Sequence, residues 1–278
     1  MGQIFTNQSF AATKCWDGGG GDENWSTAAN WAGDALPGTT DTATFHGASC
    51  TAGTPDKSVT IDQNVDLSGS GGGINMGSNY TGTITQGSGF TLGVGSSDWT
   101  QAGGTFTGGN STITLTNASF SQTGGTFTNS SAGMIMAGST SADDSISCVG
   151  TLSGTVDITR SSTAAIVTIS TGCTVTLVAS VTTANGITVN GGLTATAIDL
   201  TASRGFTLAA AGTLTMSGTL TFSGSSASDV TLNCTGTFPA NVDVTRSSSS
   251  STFTVGTGCN VSFGSAITTA NGITVNGG

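Results

Sequence analysis

The chain has 278 residues, a formal net charge of −10 and a sequence pI near 4.1, with 7% of residues charged and 6% aromatic. No basic stripe exists to neutralise phosphates, which excludes nucleic acid as a partner and disfavours anionic membrane surfaces. No apolar run reaches the roughly 18 residues that a membrane-spanning helix needs, so no membrane span is expected in this chain.

In chain order, residues 1–12 (MGQIFTNQSFAA) lack the basic start and apolar centre of a signal peptide. They end in Ser-Phe-Ala-Ala, which resembles the cleavage end of one. The expectation is a residual leader, with the mature chain beginning between Ala11 and Thr13. Met1-Gly2 also opens an N-myristoylation pattern, but that pattern is short and common by chance.

Residues 13–60 differ from the rest. Three of the four tryptophans are here (Trp16, Trp25, Trp31), together with Asp17, Asp22, Glu23, Asp34 and Asp41. The pattern W-D-G-G-G, then N-W, N-W, P and D-x-A-x-F, across residues 14–47, resembles the start of passenger regions in bacterial autotransporter-type and related surface β-helix proteins. That resemblance implies an exported chain whose N-terminal motif opens a long array of β-strand repeats; it implies no particular activity. Physically the segment suits a cap, because the first coil of a solenoid exposes an apolar cross-section and unpaired strand edges. The five acids are also a weak calcium candidate; their spacing matches no EF-hand loop. No other metal site and no cofactor is expected.

From residue 61 to 278 the sequence reads as strands. Thr, Val and Ile alternate in runs such as ITLT, VTIS and TVTL, while Glu23 is the only glutamate. Residues 148–192 align without a gap on residues 234–278, an offset of 86, with 25 of 45 positions identical. Upstream, Trp99–Thr107 resembles Phe120–Thr128 at an offset of 21. Four short coils fill one long repeat, a relation that predicts an all-β, right-handed parallel β-helix of roughly 21-residue coils. Alternation places Phe106, Phe127, Ile113, Leu115, Val175 and Leu177 inside, and the threonines between them outside. The array stops in mid-pattern at Gly278, and the expectation is that it continues.

The six cysteines lack any C-x-x-C pair, and His46 is the single histidine. Disulfides in an oxidising, extracellular compartment are therefore expected. Cys15 would staple the cap to Cys50. Cys148 with Cys173, and Cys234 with Cys259, are each spaced a little over one coil apart, within disulfide reach of a neighbouring coil.

Candidate chemistry is sparse. After Asp66 the charged residues are Asp98, Asp143, Asp144, Asp157, Asp199, Asp229 and Asp243, with Arg160, Arg204 and Arg246. A polysaccharide lyase or hydrolase needs carboxylates or a base converging on one face. Asp143-Asp144 reads as a loop pair. The string V-D-[IV]-T-R occurs in both long repeats, so Asp157–Arg160 and Asp243–Arg246 are expected to form local ion pairs at bends. No catalytic residue is assigned. Thr-x-Thr strings, among them 83–85, 105–107, 126–128, 174–176 and 213–215, raise the possibility of an ice-binding threonine ladder. Their irregular spacing argues against alignment. The expected role is a secreted or cell-surface scaffold, an adhesin-like stalk whose candidate partners are surface glycans, matrix or further copies of itself. The alternative is a carbohydrate-active β-helix enzyme with its catalytic coils elsewhere.

Overall fold

The computed structural model of the chain describes residues 11–50, 56–162, 165–177, 181–183, 186–201, 205–225, 227–248, 250–269 and 272–276. Arg204 and most of the expected leader lie outside these residues. The fold is an all-β parallel solenoid of about nine turns with coils of about 22 residues. Among the described residues the only helix is a single 3-10 turn, Ala28–Asn30.

Each full coil contributes a strand to three faces. The first face begins as a four-stranded sheet built from Val59–Ile61, Thr83–Gln86, Thr105–Thr107 and Thr126–Thr128. The second begins with Val65–Leu67, Leu92–Val94, Ile113–Thr116 and Met134–Gly138. The third is a twelve-stranded sheet running from Thr13–Cys15 to Ile273–Val275. Neighbouring strands are parallel throughout, as in Phe120 on Trp99 and Phe127 on Phe106.

Two 11-residue strands, Gly150–Arg160 and Gly236–Arg246, occupy equivalent places in the long repeat. Each turns a corner. Val156–Arg160 pairs with Met134–Gly138 on the second face, while Gly150 and Thr151 pair with Cys173 and Thr174. A register irregularity falls between Thr151 and Thr155 in one copy and between Thr237 and Asn241 in the other. A bulge at that position absorbs the bend.

The interior is the inward half of every strand. Phe106, Phe127, Ile113, Leu115, Val175 and Leu177 are all buried, as expected from alternation. Each such side chain contributes about 1.5–3 kcal/mol when removed from water. Aromatic residues also stack from coil to coil: Phe106 and Phe127 lie 5.2 Å apart with rings 13° from parallel, and Trp99 meets Phe106 edge-on at 4.7 Å. The bend before these strands needs glycine. In the repeated T-F-T approach, Gly104 and Gly125 have φ of 65° and 68°. A Cβ on Gly125 would fall 2.3 Å from the carbonyl oxygen of Gly104.

At the N-terminal end Trp16, Trp25 and Trp31 are buried against Phe45. Trp31 packs edge-on between the other two, at 5.1 and 4.6 Å, and its indole N–H donates to the carbonyl oxygen of Trp25 at 2.9 Å. The same segment covers strand edges. Thr13–Cys15 pairs with Thr42–Phe45, and Asn24 bridges to Thr60 at the start of the four-stranded sheet. Three disulfides join Cys15 to Cys50, Cys148 to Cys173 and Cys234 to Cys259, with Cα separations of 5.4, 4.7 and 4.8 Å. Their presence points to an oxidising environment.

Candidate functional surfaces

The acids of the N-terminal segment do not converge. Asp22 accepts hydrogen bonds from the backbone N–H of Asn24, the Thr27 hydroxyl and the Asn30 amide. Led by the Asn24 bond, these contacts hold its carboxyl below the ordinary range. Asp17 accepts from Gly19 N–H at 3.0 Å. Asp41 accepts from Ala12 and Gly38 at 3.0 and 2.9 Å. Asp34 is an exposed turn residue with φ of 52°, and Glu23 is exposed, its backbone carbonyl accepting from Thr60 N–H. Among the described residues, no three His, Cys, Asp or Glu side chains are grouped to hold a metal.

A groove of about 440 Å³ runs along the corner between the second and third faces and brings together Asp98, Asp143 and Asp144 with Ser68, Ser96 and Thr140. These acids are tied to the fold. Asp98 accepts from the backbone N–H of Ser119 at 2.8 Å and Asp143 from that of Ile166 at 2.7 Å, each reaching the next coil. Asn64 and Asn117 do the same toward Thr91 and Ser139, and Asp229 toward Thr252. Corner carboxylates and amides thus satisfy backbone groups that no strand pairs.

Asp144 departs from the expected loop pair. It is the first residue of strand Asp144–Ser147 and points inward, while Asp143 stays exposed in the loop. Asp144 forms an ion pair with Arg160. Burial, reinforced by Asp98 and Asp143, nevertheless pushes its carboxyl above the ordinary range against the pull of Arg160. The Asp157–Arg160 pair expected from sequence does not form. Residues three apart in a strand face opposite sides, so Arg160 is buried and Asp157 points outward. Asp243 and Arg246 divide in the same way.

The threonine strings yield the second correction. In the four-stranded sheet Thr60, Thr85, Thr107 and Thr128 stand in one column, and Thr83, Thr105 and Thr126 in another. Farther along, Thr176, Thr194 and Thr215 continue a single column. Unequal coil lengths are taken up at the corners, so strand register survives them. The signal was available in the residue between the threonines: Ile84, Phe106 and Phe127 must stack, and stacking them aligns their neighbours. No charged residue lies in strands Thr83–Gln86, Thr105–Thr107, Thr126–Thr128, Cys173–Leu177, Gly192–Ala195 or Thr213–Met216.

No family model matches the chain, and neither curated proteins nor solved structures give a match.

Proposed function

We propose that the chain is an exported structural scaffold, an adhesin-like rod acting outside the cell by holding repeated surfaces at fixed spacing. The observation that carries this reading is the equivalence of the two long repeats. Each has one disulfide between neighbouring coils and one buried arginine at the end of an 11-residue strand. Duplicated bracing serves length and stiffness, whereas a catalytic constellation is built once. Many weak, evenly spaced contacts then sum to useful avidity. The bacterial autotransporter-type resemblance of residues 14–47 supports an extracellular location, with glycans, matrix or further copies as partners.

The test has two arms. Protease treatment of intact producing cells should remove the chain while cytoplasmic markers persist, and the purified chain should leave a panel of neutral and acidic polysaccharides uncleaved. Protection inside the cell overturns the location. Polysaccharide cleavage that is lost in Asp98→Asn or Asp143→Asn overturns the scaffold in favour of a carbohydrate-active enzyme.

A further inference from the structure

The threonine net of the four-stranded sheet is the feature that the scaffold reading leaves unused. Its seven threonines occupy two directions at once. Strand stacking repeats them at about 4.8 Å along the solenoid, and alternation repeats them at about 6.8 Å along each strand. Thr85, Thr107, Thr126 and Thr128 are exposed, and Thr60, Thr83 and Thr105 half-buried. Among the described residues no partner within the protein engages the hydroxyls of the four exposed ones. Each side chain is stiff at its branched Cβ, so the face offers a fixed lattice of hydroxyl and methyl groups.

The base of this lattice is rigid. Ile84, Phe106 and Phe127 lie directly beneath it in register, and the two phenylalanine rings are stacked. A face that needs no ordering loses little conformational entropy on binding. A single hydroxyl in water contributes almost nothing, because water competes for it. Seven in a fixed net favour a partner whose hydrogen-bonding sites repeat in the same two directions, so that all engage together.

Charge narrows the partner. The chain carries −10, yet the four strands of this sheet carry no charge, and acidic residues such as Asp66, Asp157, Asp199 and Asp243 project from the second face. A neutral face does not select an ion or a charged polymer. Among the described residues the exposed large apolar side chains are Leu36, Val149, Ile267 and Val275. None is aromatic and none belongs to this net. The ring-stacking platform that a flat sugar crystal would use is therefore missing from it, as is the apolar centre of a dimer interface.

We propose that the uncharged threonine face from Thr60 to Thr128 binds the surface of ice, a neutral, planar lattice whose oxygens both donate and accept hydrogen bonds and repeat in two dimensions. This goes beyond the scaffold reading and does not depend on it.

The test uses the purified, oxidised chain with its fold verified by circular dichroism. Nanolitre osmometry and an ice recrystallisation assay would be run on the wild type, on the double variant Thr107→Lys/Thr126→Lys, and on Thr159→Lys. Both substituted positions of the double variant are exposed and outside the core, and Thr159 is an exposed residue of the second face. The wild type and Thr159→Lys should separate freezing from melting and arrest recrystallisation, and the double variant should require at least about tenfold more protein for the same arrest. A folded wild type inactive in both assays overturns the proposal, as does an equal loss in Thr159→Lys. Sedimentation with microcrystalline cellulose or chitin, or dimerisation in the ultracentrifuge, abolished in the double variant while the ice assays stay negative, assigns the face to those occupants instead.

Discussion

Around their buried arginines the two copies of the long repeat share most of their contacts and part at one corner. Arg160 donates to the carbonyl oxygens of Ala137 and Ala142, and Arg246 to those of Ser223 and Ser228, their counterparts at the same offset. Asp143 and Asp229 each accept from the next coil's backbone. Cys148 and Cys234 each lie 3.4 Å from the carbonyl oxygen two residues on. The difference is that Arg160 meets the Asp144 carboxylate, whereas Val230 stands at the equivalent place in the second copy and Arg246 donates to the Ser251 hydroxyl at 3.1 Å. The shared contacts show what a buried guanidinium does here: it ties together carbonyl groups on the two sides of the corner where the chain turns. The carboxylate is an addition to that device rather than the reason for it. Burial also lowers the pKa of the Arg246 guanidinium, offset in part by Asp229.

The largest asymmetry between the copies should appear when the arginines are removed. Arg160→Ala strands Asp144 as a buried carboxylate, and such a loss costs about 3–5 kcal/mol. Arg246→Ala leaves neutral groups short of a donor, at about 1–3 kcal/mol. Urea unfolding followed by tryptophan and far-ultraviolet signals would rank them. Equal costs would mean that the ion pair contributes nothing beyond the carbonyl contacts.

Disulfide removal should be symmetric. Each bridge closes a sequence separation of 25 residues, for which loop closure predicts roughly 3 kcal/mol. Cys148→Ser/Cys173→Ser and Cys234→Ser/Cys259→Ser should therefore lower the urea midpoint by similar amounts. A much smaller loss in one pair would locate a coil that already frays in the parent.

Much of this was legible in the sequence because a solenoid writes its third dimension as a period. The 86-residue offset, the inward positions and the Cys148–Cys173 and Cys234–Cys259 pairings follow from counting residues along a coil. What counting missed lies between coils. Sequence proximity pairs Arg160 with Asp157, three residues away, whereas its carboxylate partner Asp144 sits 16 residues earlier across a corner. Asp98 and Asp143 each accept from a backbone group 21 or 23 residues away, a reach that no local pattern marks. The threonine columns were hidden for the same reason: unequal corners disguise strands whose register is fixed by the stacked ring beneath.

The subtlest test exchanges the corner residue between copies. Asp144→Val makes the first copy resemble the second, and at neutral pH it should cost less than the roughly 3–5 kcal/mol of Arg160→Ala, because the guanidinium keeps its contacts with the carbonyls of Ala137, Thr140 and Ala142. Its signature is in pH. Burial holds the Asp144 carboxyl above the ordinary range in the folded chain, so the unfolded chain gives up that proton more easily. Below the unfolded value of about 4 the group is protonated in both the folded and the unfolded chain and adds no pH dependence. As pH rises past it, the parent loses stability until the folded group also ionises, and the loss then levels off. The parent's stability should fall with pH relative to Asp144→Val across that window, and Val230→Asp should introduce the same slope into the second copy. A rise instead of a fall would show that the attraction of Arg160 outweighs the cost of burying the carboxylate, making the ion pair a net brace at that corner.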